Sequence, residues 1–140
     1  MSKVAIVFWS ATGNTETMAN CIAEGAGANG TIVPCAEMTP AKLAEFDVVA
    51  FGCPAMGAEQ LEESEFEPMF AALEGSLNGK KIALFGSYGW GDGQWMRDWA
   101  QRAQDDGAQL FSEEGLICNE TPDDDVQAAC CKLGADLAAW

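Results

Sequence analysis

The sequence has no histidine, few basic residues and no long apolar run, and each shortage excludes a class of function. Without histidine, an ordinary zinc site is not expected. Seven Lys and Arg against 22 Asp and Glu give a net charge of -15, which repels nucleic acid and anionic membranes. No segment reaches the roughly 20 apolar residues of a membrane helix, and the apolar run in MSKVAIVFWS is too short for a secretory signal. We therefore expect a cytoplasmic protein that binds neither nucleic acid nor membrane.

The composition is typical of a folded globular protein. With 140 residues, 49% of them hydrophobic, the chain is long enough to bury one substantial core, and we expect a single domain over residues 1–140. The six cysteines show no CxxC spacing and lie mostly in apolar patterns. We therefore expect free, mostly buried thiols rather than disulfides or a metal cluster.

Alternating strand and helix patterns predict an α/β fold. Apolar, β-branched or aromatic runs predict strands at 3–9, 31–35, 47–53, 81–87 and 108–118. Helical spacing of apolar residues predicts helices at 14–28, 64–74 and 93–106, and a short turn of helix is expected at 40–45. A last helix follows, with Thr121 as N-cap and Pro122 at its first position. Strands that are apolar on both faces and are followed by helices indicate a doubly wound parallel sheet with helices on both faces. In such a sheet a ligand binds beyond the carboxyl ends of the strands, here in the loops 10–15, 53–63, 87–93 and 118–121.

The loop after the first strand has the features of an anion cradle. It supplies three hydroxyls, an amide and a glycine at the start of a helix, from Ser10, Ala11, Thr12, Gly13, Asn14 and Thr15. Free N–H groups at a helix start act like roughly half a positive charge, and each hydrogen bond to a charged acceptor contributes about 1.5 to 3 kcal/mol. Several such bonds replace a salt bridge. The alternative interpretation is an ordinary capped helix start.

The GxGxxG match GAGANG ends a helix instead of opening one, so it predicts a glycine C-cap and turn.

Two other loops carry side chains suited to a planar ring. The segment GCPAMGAEQ brings the flexible Met56 beside Gly57 and Glu59, and GSYGWGDGQW brings Tyr88 and Trp90 among glycines. A ring stacked on tryptophan gains about 1 to 3 kcal/mol. The cradle and the pair of loops together indicate a mononucleotide with a planar ring.

An acidic run follows the first of these two loops. Its members are Glu59, Glu62, Glu63, Glu65 and Glu67. Such a run is either a solvated helix face or, because it lies next to the proposed ring, an acidic rim for a partner. Trp95 and Trp99, four residues apart on a helix pattern, are expected to pack in the core.

At this point the sequence resembles the short-chain, clostridial-type flavodoxins. The segments that carry the resemblance are WSATGNTE, GCPAMGAEQLEESEFEP, GKKIALFGSYGWGDGQWMRDW and NETPDDD, and they extend over nearly the whole chain. The resemblance implies a five-stranded parallel sheet in the flavodoxin-like order 2-1-3-4-5, for which flavodoxin is itself the standard example, with FMN bound at the switch point.

The resemblance also implies particular FMN contacts. The cradle hydroxyls and amides hold the phosphate, Trp90 stacks on one face of the isoalloxazine and Met56 lies on the other. Glu59 accepts a hydrogen bond from flavin N3, Gly89 donates an amide to the pyrimidine edge, and the Gly57 carbonyl turns toward N5 on reduction. The implied cofactor-binding set is Ser10, Ala11, Thr12, Gly13, Asn14, Thr15, Pro54, Ala55, Met56, Gly57, Ala58, Glu59, Ser87, Tyr88, Gly89, Trp90, Gly91 and Asn119.

Three positions depart from the pattern of many relatives: Ala11 replaces a glycine, Pro54 a serine, and Ala58 a polar residue or glycine. At Pro54 no hydrogen bond is expected. A tight turn over 56–59 would have Gly57 and Ala58 at its centre, and Ala58 favours the type II′ form, in which only Gly57 needs positive φ. The resemblance implies that this is the form in which the Gly57 carbonyl faces N5 in the reduced protein. We therefore expect Ala58→Gly to relax the oxidised turn and to lower the first one-electron reduction potential by about 40 mV, which corresponds to strain on the order of 1 kcal/mol.

The function implied by the resemblance is low-potential, one-electron transfer without enzymatic turnover. Non-covalently bound FMN would alternate between semiquinone and hydroquinone in a monomer, and basic redox proteins would dock at the acidic flavin rim. The alternative is an FMN-dependent NAD(P)H:quinone or flavin reductase on the same fold, which would need basic residues near the ring. A response-regulator phosphoacceptor would need acidic residues at positions 9–11, where the chain has Trp, Ser and Ala.

Overall fold

The computed structural model describes residues 1–57 and 59–140. Its strands are β1 (Val4–Phe8), β2 (Gly30–Ile32), β3 (Val48–Gly52), β4 (Lys81–Tyr88), β5 (Gln109–Leu110) and β6 (Leu116–Asn119). Its helices are α1 (Asn14–Ala26), α2 (Pro40–Leu43), α3 (Phe66–Leu73), α4 (Gln94–Asp105) and α5 (Asp124–Ala139). Short 3₁₀ turns occur at Gly27–Asn29, Cys35–Glu37 and Glu74–Ser76.

The strands form one parallel sheet. Its order is β2-β1-β3-β4-β5, and β6 pairs with β4 in parallel beyond the end of β5. The order and the parallel pairing confirm the predicted doubly wound architecture. Because the strands run in the same direction, the loops after β1, β3, β4 and β6 meet at one edge of the sheet.

Alternate residues of the strands face opposite helical layers, as the continuous apolar runs predict. Ala5, Val49 and Phe51 pack with α3 and α4 in one buried cluster. Val4, Ile6 and Ala50 pack with α1 and α5 in the other. The predicted helices on both faces are therefore confirmed.

Trp95 and Trp99 belong to the core, as predicted from their spacing. Both are almost completely buried. The Trp99 ring makes edge-to-face contacts with Phe66 and Phe70, with centroids 5.5 and 5.7 Å apart. These contacts fix α4 against α3 below the loops that precede both helices.

Two predicted strands are shorter in the structure than the sequence patterns suggested. The strand predicted over 108–118 is broken at 111–115 into β5 and β6, because adjacent Glu113 and Glu114 favour neither strand structure nor burial. The strand predicted over 31–35 ends at Ile32, since Pro34 has no N–H to donate.

The last helix begins at Asp124 rather than next to Thr121. The carboxylate of Asp123 accepts the N–H of Val126 at 2.9 Å and is the N-cap. A carboxylate at this position also interacts favourably with the helix dipole, an advantage that the Thr121 hydroxyl lacks. The glycine C-cap predicted from GAGANG is confirmed at Gly27, which has φ 63°.

Candidate functional site

A cavity of about 410 Å³ lies at the carboxyl edge of the sheet. It is enclosed by the loops after β1, β3, β4 and β6, which are the loops that the parallel topology predicts. Its lining residues are Ser10, Ala11, Thr12, Asn14, Thr15, Pro54, Ala55, Met56, Ser87, Tyr88, Gly89, Glu120 and Thr121. Eleven of the predicted cofactor-binding residues thus line one cavity.

The first loop leaves the N-terminus of α1 open. Gly13 is the N-cap, with φ 93°, a left-handed conformation that favours glycine and turns the chain into the helix. The Ser10 hydroxyl accepts the N–H groups of Gly13 at 3.1 Å and Glu16 at 3.3 Å. Within residues 1–57 and 59–140, the N–H groups of Thr12, Asn14 and Thr15 have no hydrogen-bond acceptor. These donors therefore remain for a ligand.

The floor of the cradle is polar but uncharged. Thr15 and Ser87 are buried, and their hydroxyl oxygens are 2.9 Å apart. The cavity lining contains no Lys or Arg. An anion bound here would therefore be stabilised by backbone dipoles and hydroxyls, without a cation to compensate its charge.

The loop after β3 forms a hairpin beside the cavity. Met56 and Gln60 pair in antiparallel fashion through two hydrogen bonds of 2.9 and 3.1 Å. Between them, Gly57 has φ 34° and Glu59 has φ 59°. The predicted role of Ala58 in the turn falls on a residue outside the described ranges.

Glu59 connects this hairpin to the start of α4. Its Oε2 accepts the N–H of Trp95 at 2.7 Å. Gly91 leaves room for this carboxylate, because a Cβ at Gly91 would overlap the Glu59 side chain. The loop after β3 and the Trp90 loop therefore have a fixed relative position.

The Trp90 side chain is 66% exposed, the largest exposure of any described bulky apolar residue except Met1. It does not line the cavity; it lies in the loop that supplies Tyr88 and Gly89 to the lining. An indole that is accessible in this way is available for stacking against a planar ring.

Among the predicted residues, Gly13, Gly57, Glu59, Trp90, Gly91 and Asn119 lie in the site loops but not in the cavity lining. Asn119 holds two loops together, since its Nδ2 donates to the Tyr88 carbonyl at 3.4 Å. Glu120 and Thr121 were missed, although their loop was predicted to border the site. Glu120 has φ 59° and donates its N–H to the same Tyr88 carbonyl at 2.7 Å. The sequence gives the residue types at positions 120 and 121 but not the positive φ that brings Glu120 into the cavity lining.

The acidic run is mostly structural, and the interpretation of Glu62 as part of a docking rim was wrong. Glu62 is 5% exposed and accepts the N–H groups of Ser64, Glu65 and Phe66 at 2.7 to 2.9 Å, as well as the Ser64 hydroxyl. Burial raises the pKa of the Glu62 carboxyl, but these hydrogen bonds outweigh burial and lower the pKa to about 2. Glu62 is therefore the internal anion at the start of α3.

Other members of the run also have partners. The Glu67 carboxylate forms a bidentate pair with Arg102, with both N–O distances 2.7 Å. Glu65 accepts the indole N–H of Trp9 at 2.9 Å. Glu63 is exposed and makes no side-chain hydrogen bond to the described residues. Within the run, Glu63 is therefore the glutamate most available to a partner.

The thiol next to the cavity is not a reactive group. Cys53, at the end of β3, is completely buried, and burial raises the pKa of its thiol to about 12. A nucleophilic role needs a thiolate at neutral pH. Cys53 instead accepts the N–H of Glu62 at 3.4 Å and helps to fix the loop.

These features fit a mononucleotide phosphate and ring. The fold and the site define a doubly wound α/β protein with an open, cation-free helix start at the carboxyl edge of its sheet. The flavodoxin family model matches residues 6–134. The chain is 48% identical over 138 residues to a flavodoxin of Megasphaera elsdenii, covering 96% of this chain and 98% of that protein. It is 43% identical over 136 residues to a flavodoxin of Clostridium beijerinckii, covering 95% and 97% of the two chains.

The solution structure of two-electron reduced Megasphaera elsdenii flavodoxin superimposes with a TM-score of 0.85 and 45% identity. The match covers 98% of this chain and 99% of that one. The chain belongs to the flavodoxin family. In the described part of the chain, no helix combines the length and apolar character needed to cross a bilayer.

Proposed function

We propose that this chain is a low-potential, one-electron carrier that binds FMN non-covalently and passes electrons between partner redox proteins. The observation that carries the proposal is the open start of α1, where three N–H donors border a cavity of about 410 Å³. FMN ends in a phosphate that matches these donors, and its isoalloxazine supplies the one-electron chemistry when bound. Membership of the flavodoxin family supports the same function.

The cradle residues hold the phosphate in this proposal. The N–H groups of Thr12, Asn14 and Thr15 donate to phosphate oxygens, and the Ser10 and Thr12 hydroxyls add further donors. Ser87 orients the Thr15 hydroxyl through their buried contact. Because no Lys or Arg lines the cradle, the phosphate keeps its negative charge near the ring. That charge opposes the arrival of a second electron.

Met56 and Trp90 would hold the two faces of the ring. Glu59 uses Oε2 to accept the Trp95 N–H, which leaves Oε1 for the N3–H of the ring. Gly89 would donate its amide to the pyrimidine edge, and the Gly57 carbonyl would be placed to accept a hydrogen bond at N5. Tyr88, Gly91 and Asn119 keep the surrounding loops in place.

The chain acts as one monomeric domain over residues 1–140 in the cytoplasm, and its partners present basic surfaces. A net charge of -15 steers a basic partner toward the protein. Glu120 lines the cavity, Glu63 lies in the segment that follows the loop hairpin after β3, and both are exposed. We expect electron transfer to a basic partner to slow as salt rises, and Glu63→Lys with Glu120→Lys to weaken this dependence. Salt-independent rates in the unaltered protein would contradict electrostatic steering.

Titration of the apoprotein with FMN tests the proposed function. FMN should bind with quenching of flavin fluorescence, and the complex should not oxidise NADPH without a partner reductase. Trp90→Ala should weaken binding by about 1 to 3 kcal/mol, or roughly 5- to 150-fold, and restore part of the fluorescence. Phe111→Ala removes another partly exposed aromatic ring, away from the cavity, and is the matched control. Absence of FMN binding by the unaltered apoprotein would refute the function, whereas equal affinities for Trp90→Ala and the control would remove Trp90 from the site.

A further inference from the structure

Helices α1 and α5 cross with their backbones in contact. A Cβ at Gly25 would overlap the carbonyl oxygen of Cys131 and lie 2.9 Å from its Cα. A Cβ at Gly134 would overlap the carbonyl oxygen of Ile22. Side chains next to these two glycines are therefore brought unusually close across the helix pair.

Two cysteines lie at this crossing. Cys21 is one helical turn before Gly25 and adjacent to Ile22, and Cys131 is the residue whose backbone touches Gly25. Both side chains belong to the cluster between the sheet and the α1–α5 pair. The contact of Gly25 with Cys131 therefore places Cys21 within about one helical turn of Cys131 across the helix pair. Burial raises the pKa of the Cys21 thiol, and the charge of Cys131 raises it further.

The two thiols differ in access to solvent. Cys131 is half-buried, whereas Cys21 is 9% exposed. A small reagent therefore reaches Cys131 first, and Cys21 is positioned to react with whatever forms on Cys131.

We propose that Cys21 and Cys131 form a reversible dithiol–disulfide site that is oxidised by a low-molecular-weight disulfide. The Cys131 thiolate attacks the reagent disulfide, forms a mixed disulfide and releases one reagent thiol. Cys21, held close to Cys131, then loses its proton under the alkaline conditions of the test, and its sulfur attacks the Cys131 sulfur, forms the intramolecular disulfide and releases the second reagent thiol. Two protein thiols are oxidised while one reagent disulfide is reduced, and the two thiol protons pass to the released reagent thiolates.

The other cysteines are placed less favourably. Cys130 precedes Cys131 in the chain but is completely buried, and burial raises the pKa of its thiol to about 12. Cys35 and Cys53 belong to the cluster on the opposite face of the sheet. Cys118 is buried at the end of β6. The proposed site is therefore specific to one pair.

The disulfide would stabilise the protein without altering the cradle. It closes a loop of about 110 residues, which restricts the unfolded chain strongly. Cys21 lies six residues after Thr15, or about 9 Å along α1. We expect a thermal midpoint at least about 5 °C higher in the oxidised protein and an FMN affinity within about twofold of the reduced protein.

The test treats the full chain, loaded with FMN, with oxidised glutathione at pH 8.5. We expect a mass loss of two hydrogens, a Cys21–Cys131 linkage in the non-reduced peptide map, and reversal of the mass and midpoint changes by dithiothreitol. Cys131→Ser should abolish the linkage. Cys130→Ala and Cys35→Ser are controls that should retain it.

A glutathione adduct that persists on Cys131, unmodified thiols throughout, or a linkage that uses Cys130 would each overturn the proposal. The mass and peptide map do not depend on electron transfer. Their outcome is therefore independent of whether the proposed carrier function is correct.

Discussion

The helices α1 and α3 differ in whether the protein supplies a carboxylate to accept the unpaired N–H groups at their starts. At α3, the Glu62 carboxylate accepts the N–H groups of Ser64, Glu65 and Phe66. At α1, only the neutral hydroxyl of Ser10 occupies the corresponding space, and three N–H donors are left over. The proposed phosphate site thus lies at the helix start to which the protein does not supply its own carboxylate.

The remaining long helices resemble α3. The Glu59 carboxylate accepts the Trp95 N–H at the start of α4, and the Asp123 carboxylate accepts the Val126 N–H at the start of α5. Among the helices of eight or more residues in the described ranges, α1 alone lacks an internal carboxylate acceptor at its start. This single open start faces the cavity proposed to hold the FMN phosphate.

Removing the internal anion of α3 should produce the largest effect. We expect Glu62→Ala to lower the free energy of unfolding by about 3 kcal/mol, because three N–H groups lose a charged acceptor in a buried setting. Chemical denaturation of the FMN-free protein measures this change. Glu63→Ala is the matched control, since its exposed neighbouring carboxylate makes no such bonds, and it should change stability by less than about 0.5 kcal/mol. Equal effects of the two substitutions would show that α3 does not depend on this carboxylate.

The pH dependence of stability should distinguish α3 from a helix with a neutral cap. The folded pKa of Glu62 is lowered to about 2 from an ordinary value near 4.5, so its contribution is fully present above pH 4.5. That contribution is lost as the pH falls through 2. The Glu62→Gln variant has no titrating group at this position. The difference in free energy of unfolding between the unaltered protein and this variant should therefore shrink as the pH falls from 4.5 to 2. A difference that stays constant over this range would contradict the assigned pKa.

Adding a cation to the open start of α1 should have a smaller effect. We expect Ala11→Lys to raise the second one-electron reduction potential, because its ammonium group compensates the phosphate charge. If the ammonium group is about 10 Å from the flavin ring in a water-like dielectric, its interaction with the added electron is about 0.4 kcal/mol. This energy corresponds to a shift of roughly 17 mV in the potential for one electron. Potentiometry on the FMN-loaded protein measures the shift, with Ala11→Gln as the uncharged control. A potential that is unchanged, or lower, relative to the control would refute the role of the uncompensated phosphate.

The sequence predicted the sheet and the open helix start because both depend on local patterns. Strands buried on both faces appear as unbroken apolar runs, and a glycine in a run of small hydroxyl residues before a helix indicates an open helix start. The roles of the acidic residues could not be predicted in the same way. A run such as LEESEFEP gives the charge of Glu62 but not the direction of its carboxylate, which depends on packing against β3 and α3.

Two features required the three-dimensional structure. Glu120 enters the cavity lining through a positive φ, which is uncommon for a residue other than glycine. Cys21 and Cys131 are brought together by the crossing of two helices that are far apart in sequence. Neither follows from residue type or spacing alone.

The contrast between α1 and α3 is tested most directly by closing α1 with Ser10→Asp. The new carboxylate can accept the N–H groups that Ser10 already reaches, so the FMN-free protein should become more stable by about 0.5 to 1 kcal/mol. The same charge should repel and displace the phosphate and weaken FMN binding by about 3 kcal/mol, or roughly 100-fold, while Ser10→Asn should weaken it far less. Denaturation and FMN titration of the same preparations measure both quantities. FMN affinity in Ser10→Asp equal to that in Ser10→Asn would contradict a phosphate site formed by the open helix start.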